Sequence, residues 1–305
     1  MAFRLGINTG FAVNRYPDLD ELIYIIKKKL GLRYIQLTAD LINPSLPSNI
    51  LNKQKKILKS ACEKYDVQII SCFTGAFTRV NHLSHPDKEI RKYWVEWFKK
   101  FIDLAENLNC DNIGSHFGIL SVSESKNKSK RINRVRDGVN HWHDIARYGK
   151  KHGINFISWE PMSIRREYGE TIKQCKNLQS KLNKKSPLKF KICLDVDHGD
   201  LSSKNKDDIN PYKWINEFAN DASMIHLKQS LRNKFGHWPF INKYNKNGKV
   251  EPKKIIQSFE NKNVRDMNLI FELSFKEREP YDSNVIKEIK QSIKYWKNKV
   301  PNLLI

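Results

Sequence analysis

Hydrophobic positions along the chain follow two alternating rhythms. Short apolar runs occupy residues 3–8, 34–37, 67–73, 112–116, 155–160, 190–195, 224–227 and 268–272, each of a length and composition suited to a strand buried on both faces. Between them, apolar residues recur every three to four positions over 19–30, 50–65, 89–108, 135–152, 171–182, 214–219, 252–261 and 285–296. That is the period of a helix with one face on a core. Eight strands, each followed by a helix, in 305 residues predict a single (β/α)8 TIM barrel covering 1–305. A doubly wound open sheet shares the alternation, but "GINTGFAVNRYP" after the first strand lacks the glycine spacing of a dinucleotide loop.

The connections are unequal at the two ends of the strands. Long polar segments follow them, notably "TGAFTRVNHLSHP", "FGILSVSESKNKSKR" and "KQSLRNKFGHWPFINKYNKNGK", while helix-to-strand joints such as "YDV" and "KHGIN" are brief. Barrel enzymes build their sites from loops after the strands, so this asymmetry marks the working face.

Composition adds three expectations. The formal charge of +22 alone suggests a polyanion partner, but the excess lysines lie on polar helix faces such as "ELIYIIKKKLG" and "LNKQKKILKSA". Solvated lysine faces, and no specific nucleic-acid partner, are therefore expected. Cys62, Cys72, Cys110, Cys175 and Cys193 are odd in number and form no C-x-x-C pair, and several lie in apolar strand-like runs, which points to reduced thiols and the cytoplasm. "MAFRLGINTG" is not a basic-then-apolar leader, and no apolar run approaches the ~18 residues of a membrane span. A soluble protein is expected.

Chemistry concentrates at the ends of the last four barrel strands. Glu160 closes the fifth, Asp195 the sixth, His226 lies in the seventh and Glu272 closes the eighth. Three carboxylates and an imidazole converging on one apolar barrel mouth require a compensating cation. One divalent metal ion is the simplest solution; three oxygens and one nitrogen suit Mn²⁺, Mg²⁺ or Co²⁺, and admit Zn²⁺.

The order of "SWEPM", "CLDVDHGD", "IHLKQ" and "FELSF" resembles the xylose-isomerase-like TIM-barrel superfamily, whose sugar epimerases hold a metal through Glu, Asp, His and Glu. More narrowly, "QLTADLINPSLP", "FTGAFTRVNHLSHP", "GSHFGIL", "PMSIRREYGET" and "GHWPF" look like the bacterial tetrulose-phosphate (erythrulose-phosphate) epimerases of erythritol breakdown. The resemblance implies that Glu160, Asp195, His226 and Glu272 are the metal ligands. It also implies that Glu160 and Glu272 exchange protons on opposite faces of a ketose phosphate. His198 and Arg232 match positions that grip substrate oxygens in related epimerases, and the family's habits carry an expectation of a homodimer or homotetramer.

Arg166 is a departure with a direction. Six residues beyond the strand-5 glutamate, epimerases of free sugars carry a second glutamate that binds a substrate hydroxyl. A guanidinium there favours a phosphate that a carboxylate would repel, so Arg166 is expected in a phosphate grip with Arg79, Lys228 or Arg278, the alternative being an ion pair with Glu167. His116 at the mouth of the fourth strand is expected to face substrate, and Trp238 either to close over a small sugar or to pack in the core. Free-ketose epimerisation, aldose–ketose isomerisation and inosose dehydration use the same four ligands and stay open. An apurinic endonuclease would suit the charge, but it needs a ligand histidine after strand 3 and an Asp-x-His after the strand-7 histidine, where this chain has "FTGAF" and "GHWPFIN".

Overall fold

The computed structural model describes residues 2–231 and 234–305. Among them, eight parallel strands close a barrel in the order β1 (Ala2–Asn8), β10 (Asp266–Phe271), β7 (Ala222–Leu227), β6 (Lys189–Asp195), β5 (Phe156–Glu160), β4 (Asn112–His116), β3 (Gln68–Phe73) and β2 (Tyr34–Thr38). Each apolar run of the sequence is one of these strands, and the fold is a TIM barrel. Around it lie α1 (Leu19–Tyr24), α2 (Ser48–Tyr65), α3 (Lys88–Asn107), α5 (Lys128–Lys151), α6 (Ile172–Asn183), α7 (Pro211–Phe218), α9 (Pro252–Glu260) and α10 (Val285–Lys299). In α3 the apolar side of "WVEWF" packs on the barrel, with Trp97, Phe98 and Phe101 buried.

Two of the expected loops are structured. The stretch after β4 forms α4 (Val122–Lys126) and the start of α5; it has too little apolar periodicity to betray a helix, and side-chain caps supply the start signals instead. Ser121 accepts from the Glu124 N–H, and Asn127 from the Lys130 N–H. After β7 the chain folds into a hairpin, β8 (Gln229–Leu231) and β9 (Lys234–Trp238), followed by α8 (Asn242–Asn245). The expected helix over 19–30 is α1 continued by a π-type turn, Ile25–Lys29.

Strand alternation positions the site. A strand presents every second residue to one face, so Cys193, Met224 and Ile270, one step below Asp195, His226 and Glu272, form an apolar layer with Phe73 inside the barrel. The five cysteines are free thiols. Among the described residues no helix is long and apolar enough to cross a membrane.

Candidate active site

Parallel register brings the strand ends level. Asp195 pairs with His226 across β6 and β7, and His226 with Ile270 across β7 and β10. Glu272, two residues beyond Ile270, therefore points the same way. One donor atom from each of Glu160, Asp195, His226 and Glu272 lies within 4.8 Å of the other three. His226 Nδ1 is the hub, 3.0 Å from Glu160 Oε1, 3.7 Å from Glu272 Oε2 and 3.9 Å from Asp195 Oδ2. Cys193 also approaches His226, at 3.4 Å, but burial pushes its thiol up to about 12 and keeps it protonated.

A buried ammonium completes the cluster. Lys228, with 0% of its side chain exposed, donates to Asp195 Oδ2 at 2.5 Å, to Glu272 Oε2 at 2.6 Å and to His237 Nε2 at 2.8 Å. Burial works against the carboxylates of Asp195 and Glu272, yet the positive neighbours prevail: His198 and Lys228 hold Asp195 below its usual range, and Lys228 and His226 hold Glu272 well below. Burial likewise opposes a charged His226, but Glu272 and Glu160 raise its proton affinity. Three carboxylates against a single ammonium leave two negative charges once the imidazole ligates in its neutral form. The residues thus fit a divalent cation in both donor type and charge.

A cavity of about 770 Å³ opens above the cluster. Glu160 and Glu272 both border it, whereas Asp195 and His226 lie beneath its wall. His198 also borders it; its Nδ1–H donates to the Pro161 carbonyl at 2.7 Å, which leaves Nε2 toward Asp195 Oδ2, 3.6 Å away. His116 reaches the cavity with its ring, but its Nε2–H is spent on the Val80 carbonyl at 2.9 Å, and burial holds the ring's pKa down at about 3, hence neutral.

The basic residues expected to hold a phosphate are scattered. Arg79 borders the cavity, pairs with Glu167 and keeps 44% of its side chain exposed. Its loop is organised by Asp40, which accepts from the Phe77 and Thr78 N–H groups and the Thr78 hydroxyl. Gly75 is required there, because a Cβ would come within 2.2 Å of the Asp40 carboxylate. Arg166 turns away and donates to the Leu120 carbonyl at 2.9 Å; the neighbouring Glu167, on a 3-10 turn over Arg165–Glu167, faces the cavity instead. The ion pair considered for Arg166 with Glu167 is made by Arg79. Lys228 borders the cavity with its three donors already engaged. Arg278 is exposed and, like Trp238, stands outside the residues that border the cavity. Trp238 stacks on Tyr244, with centroids 5.3 Å apart and planes at 11°. Arg232 lies outside the described residues.

Three residues of the site escaped sequence reasoning. His237 stands at the cavity beside Lys228 and 3.4 Å from Glu272 Oε2. Asp197, inside "CLDVDHGD", accepts from the Ser230 hydroxyl and the Gly236 N–H, tying the β8–β9 hairpin over the site. Gln36, which opens "QLTADLINPSLP", contacts His226 inside the barrel. Each sits in a quoted motif, and a polar residue at an inward strand position was the available signal for Gln36.

Comparison with known proteins agrees with this geometry. A family model described as a xylose isomerase-like TIM barrel matches residues 26–299. D-erythrulose 1-phosphate 3-epimerase of Brucella abortus (strain 2308) is 36% identical over 297 residues, covering 97% of this chain and 96% of the relative. Among solved structures, a Rhodospirillum rubrum ATCC 11170 protein provisionally named a xylose isomerase superposes with a TM-score of 0.89 at 22% identity, covering 98% of this chain and 100% of the other. D-psicose 3-epimerase of Clostridium cellulolyticum H10 gives 0.70 at 13% identity, over 98% and 99%. At those identities the structures speak for the fold alone.

Proposed function

We propose that the chain, which belongs to the xylose isomerase-like TIM barrel family, is a metal-dependent 3-epimerase of a short ketose phosphate, with a tetrulose phosphate as the favoured substrate. It is an isomerase, a sugar epimerase, in keeping with the 36% identical relative that spans nearly the whole chain. The phosphate, the carbon inverted and the roles of individual residues form the proposal.

One observation carries the mechanism. Of the four clustered side chains, the two glutamates alone border the cavity. They come from β5 and from the end of β10, with β6 and β7 between them around the barrel, so they approach a bound sugar from different sides. Glu160, Asp195, His226 and Glu272 would hold the divalent cation, which when bound supplies a Lewis acid that polarises a ketone and acidifies the adjacent C–H. One glutamate takes the proton from the carbon beside the ketone, and the other returns one to the opposite face. Lys228 keeps Glu272 ionised, so its carboxylate is free of a proton of its own. His198 offers its Nε2 edge to a substrate oxygen. Arg79 is the cavity's half-exposed guanidinium, and the phosphate would draw it from Glu167.

Incubation of the metal-loaded protein with erythrulose 1-phosphate in D₂O tests the reaction and the substrate together. NMR should show deuterium entering C3 as the second epimer appears. Deuterium entering C1 of erythrulose 4-phosphate, whose C1 hydroxyl is free, as an aldose phosphate appears would indicate aldose–ketose isomerisation, and no exchange with any ketose phosphate while free ketoses react would remove the phosphate from the reading.

A further inference from the structure

Gln36 is a fully buried amide, 0% exposed, facing the apolar layer inside the barrel. Such a group is costly unless its hydrogen bonds are met, so its partners show what it does. Its Oε1 accepts from Asn8 Nδ2 at 2.6 Å and lies 2.8 Å from His226 Nε2; its Nε2 points to the Met224 sulfur at 3.1 Å.

The direction of every bond in this chain follows from one backbone group. The Gly10 N–H can only donate, and it donates to Asn8 Oδ1 at 2.7 Å. Asn8 must then present its NH₂ to Gln36, and Gln36 must answer with its carbonyl oxygen. An oxygen 2.8 Å from a ring nitrogen requires that nitrogen to carry the hydrogen, and Nδ1, 3.0 Å from Glu160 Oε1, is the nitrogen whose proton a cation among the carboxylates would replace. A flipped Gln36 would set its NH₂ against the NH₂ of Asn8, and nothing in the Met224 thioether repays that loss. The register supports the geometry, since Asn8 and Gln36 are direct neighbours across β1 and β2.

We propose that Gln36 is a positioning residue for the metal-ligating histidine: anchored through Asn8 to the Gly10 N–H, its carbonyl oxygen holds the His226 proton on Nε2 and commits Nδ1 to a divalent cation. The inference rests on the metal reading above and goes beyond it by assigning the ligating nitrogen and what fixes it. Partners behind a ligating histidine set its tautomer and ring orientation, and losing one typically costs 10–100-fold in metal affinity.

The test is Zn²⁺ affinity, measured by competition with a chromophoric chelator, for the wild type, Gln36→Leu and Gln36→Glu. Leucine fills the space without an acceptor and should weaken Zn²⁺ binding by about 10–100-fold. Glutamate restores the acceptor facing both Asn8 and His226, and should bring affinity back to the wild-type level or above. Leucine binding as tightly as wild type, or glutamate as weakly as leucine, would overturn the proposal and make Gln36 a packing residue. Imidazole ¹⁵N NMR of the Zn²⁺-loaded wild type, which needs no variant to fold, should place the His226 proton on Nε2; a proton on Nδ1 refutes the assignment. A wild type that binds no divalent cation would instead bring down the metal reading, and this inference with it.

Discussion

At the floor of the cavity, Glu160, Asp195 and His226 occupy successive barrel strands at heights the parallel register dictates. At its rim, Arg79 and His237, with Arg166 turned away just behind, ride on connections whose shape depends on a few side-chain bonds, such as the Asp40 carboxylate under Arg79 and the Asp197 carboxylate under the hairpin. The floor is over-determined and the rim is contingent. A residue shifted by one place along a strand changes face, whereas one shifted by one place in a loop can go anywhere. Reaction type should therefore follow the floor, and substrate choice the rim.

The sharpest way to break that division is to disable the floor without moving it. Glu160→Gln and Glu272→Gln keep shape and lose the exchangeable charge, and each should cut turnover by about 10²- to 10⁴-fold. Substrate binding, followed by calorimetry, should remain measurable. Normal turnover in either variant would remove that glutamate from proton transfer.

Lys228 tests whether the floor is a charge-balanced unit. Lys228→Met strands Asp195 and Glu272 without their buried partner, a change of the class that costs about 3–5 kcal/mol, with the low end expected because Glu272 is 28% exposed. Urea unfolding of the chelator-treated protein should show this loss, and excess Mn²⁺ should recover most of it by supplying the missing positive charge. If the variant were equally stable without metal, the ammonium would not be what holds the carboxylates together.

How far the sequence reached follows the same line. Glu160, Asp195, His226 and Glu272 were legible because strand ends and inward parity can be read from a period of two. Lys228 was legible as a nearby cation but not as a buried one, since its environment is made by residues from three strands. Arg166 shows the limit most plainly. An offset of six from Glu160 selected it, yet one 3-10 turn sends its guanidinium to Leu120 and turns Glu167 inward. His237 was hidden because "KQSLRNKFGHWPF" carries no clear strand alternation, and the hairpin that returns it to the cavity is fastened by Asp197 from another loop.

The rim makes its own prediction. Arg79→Gln should lower kcat/KM for a ketose phosphate by on the order of 10-fold to 10²-fold, one or two charge-assisted hydrogen bonds, and change the unphosphorylated ketose little. Arg166→Gln should leave both substrates within about 3-fold, because its bond to Leu120 is structural and a neutral amide can replace it. Equal losses on both substrates for Arg79→Gln would mean that the guanidinium serves only to hold Glu167. A selective loss for Arg166→Gln would mean that the rim rearranges when substrate binds.

The smallest effect lies where floor and rim meet. His116 belongs to β4, level with Glu160, and its Nε2–H fastens the Val80 carbonyl of the rim loop. Behind it the His82 ring packs at 4.1 Å. Burial lowers His116 to about 3 and holds His82 well below its ordinary value. The unfolded chain takes up these protons near pH 6.5, the folded protein only at much lower pH. Between the two the unfolded state binds more protons, so stability must fall as pH falls, by up to about 1.4 kcal/mol per pH unit for each histidine. His116→Gln keeps a donor for Val80 and removes the titration. In chelator-treated protein, urea unfolding between pH 6.5 and 4.5 should show a slope shallower by about that amount in the variant, with the remainder belonging to His82. An unchanged slope would mean that His116 is protonated in the folded state, and the Val80 bond would then join floor to rim through a charged ring.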